Sequence, residues 1–304
     1  MKRILILLAV TLSAINLFAQ GKTVDKTLKL RDFNSINLSS MWNVELEYGS
    51  RQSVVLTYSE ELEPYIVAEV KGKELELSYS MDDMPRKLRN EINRSGYNGG
   101  AGTYTLKATI VSSDLEAIDA SGAVDVHCSG EFKADDFFLD LSGAANIKNL
   151  ELSVTSLYMD VSGAGQLDIP SLNATECSMD LSGASSVYVE GDIDEAFMDA
   201  SGASNVTISG NYTTFNIDAS GACDIRISGK AGKLSVDASG ACDIRARELY
   251  ADDVFAGGSG ASSITVQPVK EITIDISGAT TLRYPKGVST KIYSISRGCN
   301  IDTF

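Results

Sequence analysis

One five-residue phrase, D-x-S-G-A, recurs along this chain from Asp119 to Ala279. Its serines fall at Ser121, Ser142, Ser162, Ser182, Ser201, Ser220, Ser239, Ser259 and Ser277, with successive spacings of 21, 20, 20, 19, 19, 19, 20 and 18 residues. Nine copies at a near-constant period define a repeat architecture, in which each unit contacts only its neighbours and the core grows along one axis. Usual estimates of domain number from the 304-residue length therefore do not apply.

The residues around each serine give the shape of one repeat. With the serine as position zero, −3 is apolar or Ala in every copy (Ile118, Leu139, Met159, Met179, Met198, Ile217, Val236, Ala256, Ile274). Position −1 is apolar or small (Ala120, Leu141, Val161 and so on), and +5 is Val, Ile or Leu throughout. Position −2 is Asp in eight of the nine copies, and +4 is Asp, Asn, Gln, Ser or Thr. An alternation of period two on both sides of the serine means two short strands, each with one face inward. Apolar residues near −5, such as Phe137, Leu157 and Phe215, extend the first of them. The S-G-A between the strands is the corner. Its glycine gives the backbone freedom a sharp corner needs, and its alanine is small enough to pack inside the bend.

A period of 19–21 residues with this pattern fits one coil of a parallel β-helix, with equivalent strands paired and equivalent side chains stacked in ladders. The fold class is therefore all-β: a single right-handed parallel β-helix, the hand following the general preference of parallel crossovers. The leucine-and-asparagine pattern of leucine-rich repeats is absent, and no segment has a clear helical period. The register begins before the first full signature: with Ser39 as zero, Ile36, Leu38, Val44 and Leu46 take the inward places and Asn37 the Asp place. Further strands are expected over 53–58, 66–70 and 74–79. Residues 81–103, rich in Asp, Arg, Asn and Gly, read as a long inserted loop.

The first residues read as a targeting segment. Lys2 and Arg3 precede an apolar run from Ile4 to Ala14, and Phe18-Ala19-Gln20 offers a cleavage point. The expected organisation is a signal peptide over 1–19, a lead-in over 20–31 and one solenoid over 32–304, in the periplasm, at the outer membrane or outside the cell. The whole chain carries −15; without residues 1–19 the count is 24 − 41 = −17. So acidic a chain does not suit nucleic acid, and no later apolar run is long enough for a helical membrane span.

The sharpest chemical feature is the ladder Asp119, Asp140, Asp160, Asp180, Asp199, Asp218, Asp237 and Asp275. One reading is a row of carboxylates for cations such as Ca²⁺. The simpler reading is structural, each Asp accepting from the backbone N–H two residues on and fixing the corner as an Asx-type turn. The ladder is read here as structural, with no metal, cofactor or catalytic set assigned. The single histidine, His127, is expected to point outward, and the S-G-A serines lack the G-x-S-x-G context of a nucleophile elbow. Trp42 and Tyr97 read first as part of a cap over the solenoid end, since terminal repeats need capping, with a ligand surface as the alternative. Cys223 and Cys242 share one repeat position, so they either stack as small side chains or pair as a disulfide. Cys128 and Cys177 fall on inward positions.

Phe33-Asn34-Ser35-Ile36, the segment from Thr105 to Ile118 and the run of S-G-A-x-x-[IVL] copies resemble the head GIN domain family, described as auto-transporter adhesins, over roughly residues 32–285. The resemblance implies a β-helical fold and an envelope or secreted location, and brings no catalytic residues. The function expected is an exported, non-enzymatic solenoid presenting a binding surface to a glycan or an envelope protein. A polysaccharide lyase or hydrolase on the same scaffold is the alternative.

Overall fold

The computed structural model describes residues 22–95 and 104–304. The expected signal peptide and Tyr97 lie outside the described residues. The S-G-A copies form a parallel β-solenoid, and its long strands pair in register one coil at a time. Gln166–Leu181, Ser186–Ala200, Asn205–Ala219, Asp224–Ala238, Asp243–Gly258 and Ser263–Ile276 are successive neighbours. Each strand runs through the bends of its coil, and paired exposed residues such as Asp194 and Glu195 mark where the inward phase changes. The inward columns pack into one continuous core along the axis.

The corners follow one hydrogen-bonding rule. All nine corner glycines have φ between 71° and 87°. The alanine N–H of one coil donates to the glycine carbonyl of the coil before it, as Ala184 N to Gly163 O at 2.7 Å. The serine N–H donates to the −1 carbonyl of the preceding coil, as Ser182 N to Val161 O at 2.9 Å. The alanine itself is exposed, not packed inside the bend as its size led one to expect; the left-handed glycine swings the chain so that +3 is the next residue to turn inward.

That +3 column is Val124, Ala145, Gly165, Ser185, Ser204, Cys223, Cys242, Ser262 and Thr280, all buried. Its polar members satisfy themselves locally. Ser204 Oγ donates to Ser201 O, Ser262 Oγ to Ser259 O, and Cys223 and Cys242 Sγ to Ser220 O and Ser239 O, each at 3.1 Å. The two cysteines are thus free thiols stacked in a ladder of small donors. Cys128 and Cys177 are buried as well, and burial pushes both thiols up to about 12.

Near the N-terminus, spatial order departs from chain order. Ser35–Ser40 and Asn43–Tyr48 stack directly on the first full S-G-A coil, with Asn37 facing Asp119, Ser39 facing Ser121 and Ser40 facing Gly122. On their other side lie Glu74–Tyr79 and Leu106–Ser112, which form the outermost coil. That outer coil has no S-G-A corner: after Tyr79 the chain forms a helix, Arg86–Ser95, with Ile92 buried, where a loop was expected. The stack is then closed by antiparallel strands: Thr23–Thr27 against Ser53–Ser59, which pairs with Leu106–Ser112, and Ile66–Lys71 against Glu74–Tyr79.

This opened corner explains two irregularities. Ser40 holds the corner-glycine place with φ of 87°, and it is one of two non-glycine residues in the left-handed region among those described. Trp42 occupies the inward +3 place and is 1% exposed, so it is a core residue at the closed end and not part of a ligand surface. A side chain that large fits because no S-G-A corner stacks on that side, between Glu74–Tyr79 and Leu106–Ser112.

The opposite end is different. Ser289–Ile295 pairs only with Ser263–Ile276, and Asn300–Thr303 only with Thr281–Tyr284, among the described residues.

Candidate functional site

The outward face of the strand before each corner carries three parallel columns, because alternate residues of a strand point to the same side. The Asp ladder is one of them. Asp119, Asp140, Asp160, Asp180, Asp199, Asp218 and Asp237 stack in unbroken register, and Gly257 and Asp275 continue the column. The structure corrects the Asx-turn reading. The corner serine N–H groups are committed to carbonyls of the preceding coil, so they do not reach the carboxylates. Among the described residues, the one side-chain donor on the ladder is Asn37 Nδ2, 3.3 Å from Asp119 Oδ2.

The ladder is therefore a stack of like charges about 4.8 Å apart. Partial burial, and then the neighbouring carboxylates, hold Asp119, Asp160, Asp199 and Asp237 above the usual aspartate range. The carboxylates face outward from the sheet and close no corner, so the ladder is a surface feature of the fold.

The middle column was not singled out in the sequence, although the same numbering contains it at −4. It reads Phe138, Tyr158, Ser178, Phe197, Asn216, Ser235, Phe255, Thr273. Phe138 and Tyr158 stack with centroids 5.1 Å apart and planes 13° apart. Phe197 and Phe255 stand alone, 38% and 37% exposed. Between them lie Asn216 and Ser235, so two aromatic rings three coils apart, about 14 Å, bound a polar floor.

Two shallow grooves meet on that floor. One, of about 330 Å³, is lined by Ser178, Asp180, Phe197, Asp199, Asn216, Asp218, Ser235 and Asp237, over the strand backbone between them. The other, of about 220 Å³, shares Asn216 and Ser235 and continues past Lys233 and Asp253 to Phe255, Glu271 and Thr273. Together they form one trough along the solenoid axis. The Asp column borders one side, and the −6 column of Thr214, Lys233 and Asp253 borders the other. The single break in the Asp ladder belongs to this site: a Cβ at Gly257 would lie 3.0 Å from Phe255 Cε1, so the ring leans over the place where an aspartate would stand.

The trough can do two things chemically. Aromatic rings take the apolar C–H face of a flat ligand, and Asn216, Ser235, Ser178 and the carboxylates supply donors and acceptors to its rim. The surrounding acids repel anions. His127 is exposed on a different strand, stacked on Lys148, and takes no part in the trough. Among the described residues no cluster of three or more His, Cys, Asp or Glu is arranged to hold a metal ion.

The molecule is thus a parallel β-solenoid protein, closed by antiparallel strands at one end and bearing an aromatic-walled trough on one face. It belongs to the family described as "putative auto-transporter adhesin, head GIN domain", whose model matches residues 32–211 and 194–287. Among solved structures, a putative adhesin from Parabacteroides distasonis is similar at 17% identity, covering 93% of this chain and 98% of its own, with a TM-score of 0.52; that likeness is one of fold. A putative adhesin from Parabacteroides merdae (16% identity, 94% and 98% covered, TM-score 0.44) and a putative lipid binding protein from Parabacteroides distasonis (17%, 94% and 98%, TM-score 0.44) also align. No curated protein matches the chain.

Proposed function

We propose that this protein is an exported, non-enzymatic scaffold that binds neutral glycan chains in the trough between Phe197 and Phe255. The observation that carries the reading is the pair of exposed rings flanking the polar Asn216–Ser235 floor. A pyranose offers an apolar face and a rim of hydroxyls, which matches rings next to amide, hydroxyl and carboxylate groups. An extended trough along the axis fits a chain of sugars better than a single one. The bordering Asp199, Asp218, Asp237 and Asp253, against one Lys233, disfavour uronate or sulfated polymers.

Export is supported by the Lys2–Arg3 pair with its apolar run and by an adhesin family description. No helix among the described residues is long and apolar enough to cross a membrane. Binding is favoured over cleavage because the trough carboxylates repeat in columns: Asp180, Asp199, Asp218 and Asp237 are successive members of the ladder, and Asp253 and Glu271 stack in register on the opposite border, with Glu271 paired to Lys291, so no acid is set beside a distinct base. An array of neutral and acidic polysaccharides, scored for both retention and release of reducing ends, tests this. Retention of neutral chains without cleavage is expected. Cleavage would convert the reading to the enzyme alternative, and retention of acidic chains alone would overturn the trough assignment.

A further inference from the structure

We infer that the open end of the solenoid is a docking surface for the same end of a second copy, giving a two-fold, end-to-end dimer. This inference is independent of the glycan reading. It starts from the last coil, where the inward positions have lost their cover. Ile292 stands in register with buried Ile274 and Ile295 with buried Ile276, yet Ile292 is 63% exposed, and the neighbouring Tyr293 is 83% exposed. Ile295 adds further exposed apolar surface. This is the cross-section of a hydrophobic core presented to water.

The backbone of the same coil is equally unfinished. Ser289–Ile295 and Asn300–Thr303 each have a strand neighbour on one side only, so alternate N–H and C=O groups point out along the axis. Such an edge is a template for another strand. A partner must therefore bring both apolar side chains and backbone donors and acceptors. A lipid surface brings the first without the second.

A second copy brings both, and only through its like end. The other end of the solenoid is closed by antiparallel strands, with the polar Thr23–Thr27 outermost on one of them, so a head-to-tail stack would set an apolar core against a polar cap. Two identical edge strands meet naturally about a two-fold axis, where they pair antiparallel and each copy fills the other's vacant rung.

The acidic columns stop one coil short: Asp275 is followed in register by Ser294, and Glu271 by Ser289. The meeting ends therefore do not set the two carboxylate ladders face to face, and the like count of 3 − 1 = +2 in residues 286–304 of each copy is a small opposing term, with Lys291 already paired to Glu271. The dimer doubles the number of troughs on one rigid rod, which would raise avidity for a polymeric glycan without any new contact.

Sedimentation equilibrium on the full chain, with reductant present to keep Cys299 from cross-linking, should give twice the monomer mass. Ile292→Lys should shift the dimer dissociation constant at least tenfold upward while leaving the far-ultraviolet circular dichroism unchanged. Tyr293→Asp, at a position 83% exposed where the ring packs on no core, should do the same. Hydrogen exchange of the amides of 289–295 should speed up on dilution. A wild-type chain that is monomeric at tens of micromolar overturns the inference, whether or not it floats with vesicles of anionic phospholipid. A dimer unaffected by both variants overturns it as well.

Discussion

Gly183 offers a direct test of the corner, because two separate costs can be measured there and one of them can be measured alone elsewhere. Its φ is +79°, and an added Cβ would lie 2.4 Å from Gly163 O and 2.8 Å from Gly163 N. Gly72, in the turn between Ile66–Lys71 and Glu74–Tyr79, has φ of +65° with nothing within 4 Å of the added Cβ. Gly72→Ala should therefore cost only the left-handed backbone term, about 1 kcal/mol. Gly183→Ala adds the contact. To restore an ordinary separation the coils must part by most of an ångström, which weakens the Ala184 N to Gly163 O bond of 2.7 Å, at about 1 kcal/mol. Displaced core side chains on the two flanking coils should add about 1–2 kcal/mol more. The expected totals are about 3–4 kcal/mol for Gly183→Ala and about 1 for Gly72→Ala, read from urea unfolding by circular dichroism. Equal losses at the two sites would show that stacking against the preceding coil plays no part in selecting glycine.

Other perturbations probe the columns. Asp199→Asn should stabilise the fold by about 0.5 kcal/mol after allowance for solvent screening, since it removes a like charge from a stack that closes no corner; a loss in thermal melts would restore the corner-acceptor role. Because the folded state holds the protons of Asp119, Asp160, Asp199 and Asp237 more tightly than the unfolded chain does, their contribution to folding is fully present below about pH 4. It is lost as pH rises through the elevated values, so the Asp199→Asn gain should shrink on moving from pH 7 to pH 4. Ser204→Cys should be nearly neutral, because Cys223 and Cys242 make the same bond in the next two coils, whereas Ser204→Val should cost about 1 kcal/mol by leaving Ser201 O without its donor. Ser40→Gly should gain about 0.5–1 kcal/mol by relieving a left-handed serine, visible as a higher melting temperature.

The repeat made the coils legible because parallel in-register stacking converts a sequence period directly into spatial columns. Ile36, Asn37 and Ser39 could be placed before any full signature appeared, and the structure sets them opposite Ile118, Asp119 and Ser121. Where the chain leaves the period, that link is lost. Nothing local to residues 50–112 tells that Glu74–Tyr79 and Leu106–Ser112 fold back over the first coil, since their partners lie far away in sequence. The helix Arg86–Ser95 was hidden by composition: only Leu88 and Ile92 mark its inner side among charged and polar residues. Trp42 read as an end cap or a ligand contact, and not as a core residue of its coil, because the inward sense of +3 had not been recognised, yet Ser185, Ser204, Cys223, Cys242, Ser262 and Thr280 carry that signal in their shared small size. The trough was missed for a related reason. The −4 column mixes Phe and Tyr with Ser, Asn and Thr, and such a mixture looks like noise until stacking shows that the polar members form a floor between the rings.

The central claim is that Phe197 and Phe255 bound a glycan site. Isothermal titration of a neutral oligosaccharide of six or more sugars, chosen from the retained polymers, tests it most directly when run on the wild type, Phe197→Ala, Phe255→Ala and, as a control on the same column, Tyr158→Ala. Each of the two trough variants should weaken binding roughly tenfold, in line with the loss of one aromatic contact of about 1–1.5 kcal/mol, while Tyr158→Ala should change it little. Binding that survives both trough substitutions, or that depends on Tyr158 instead, would contradict the assignment.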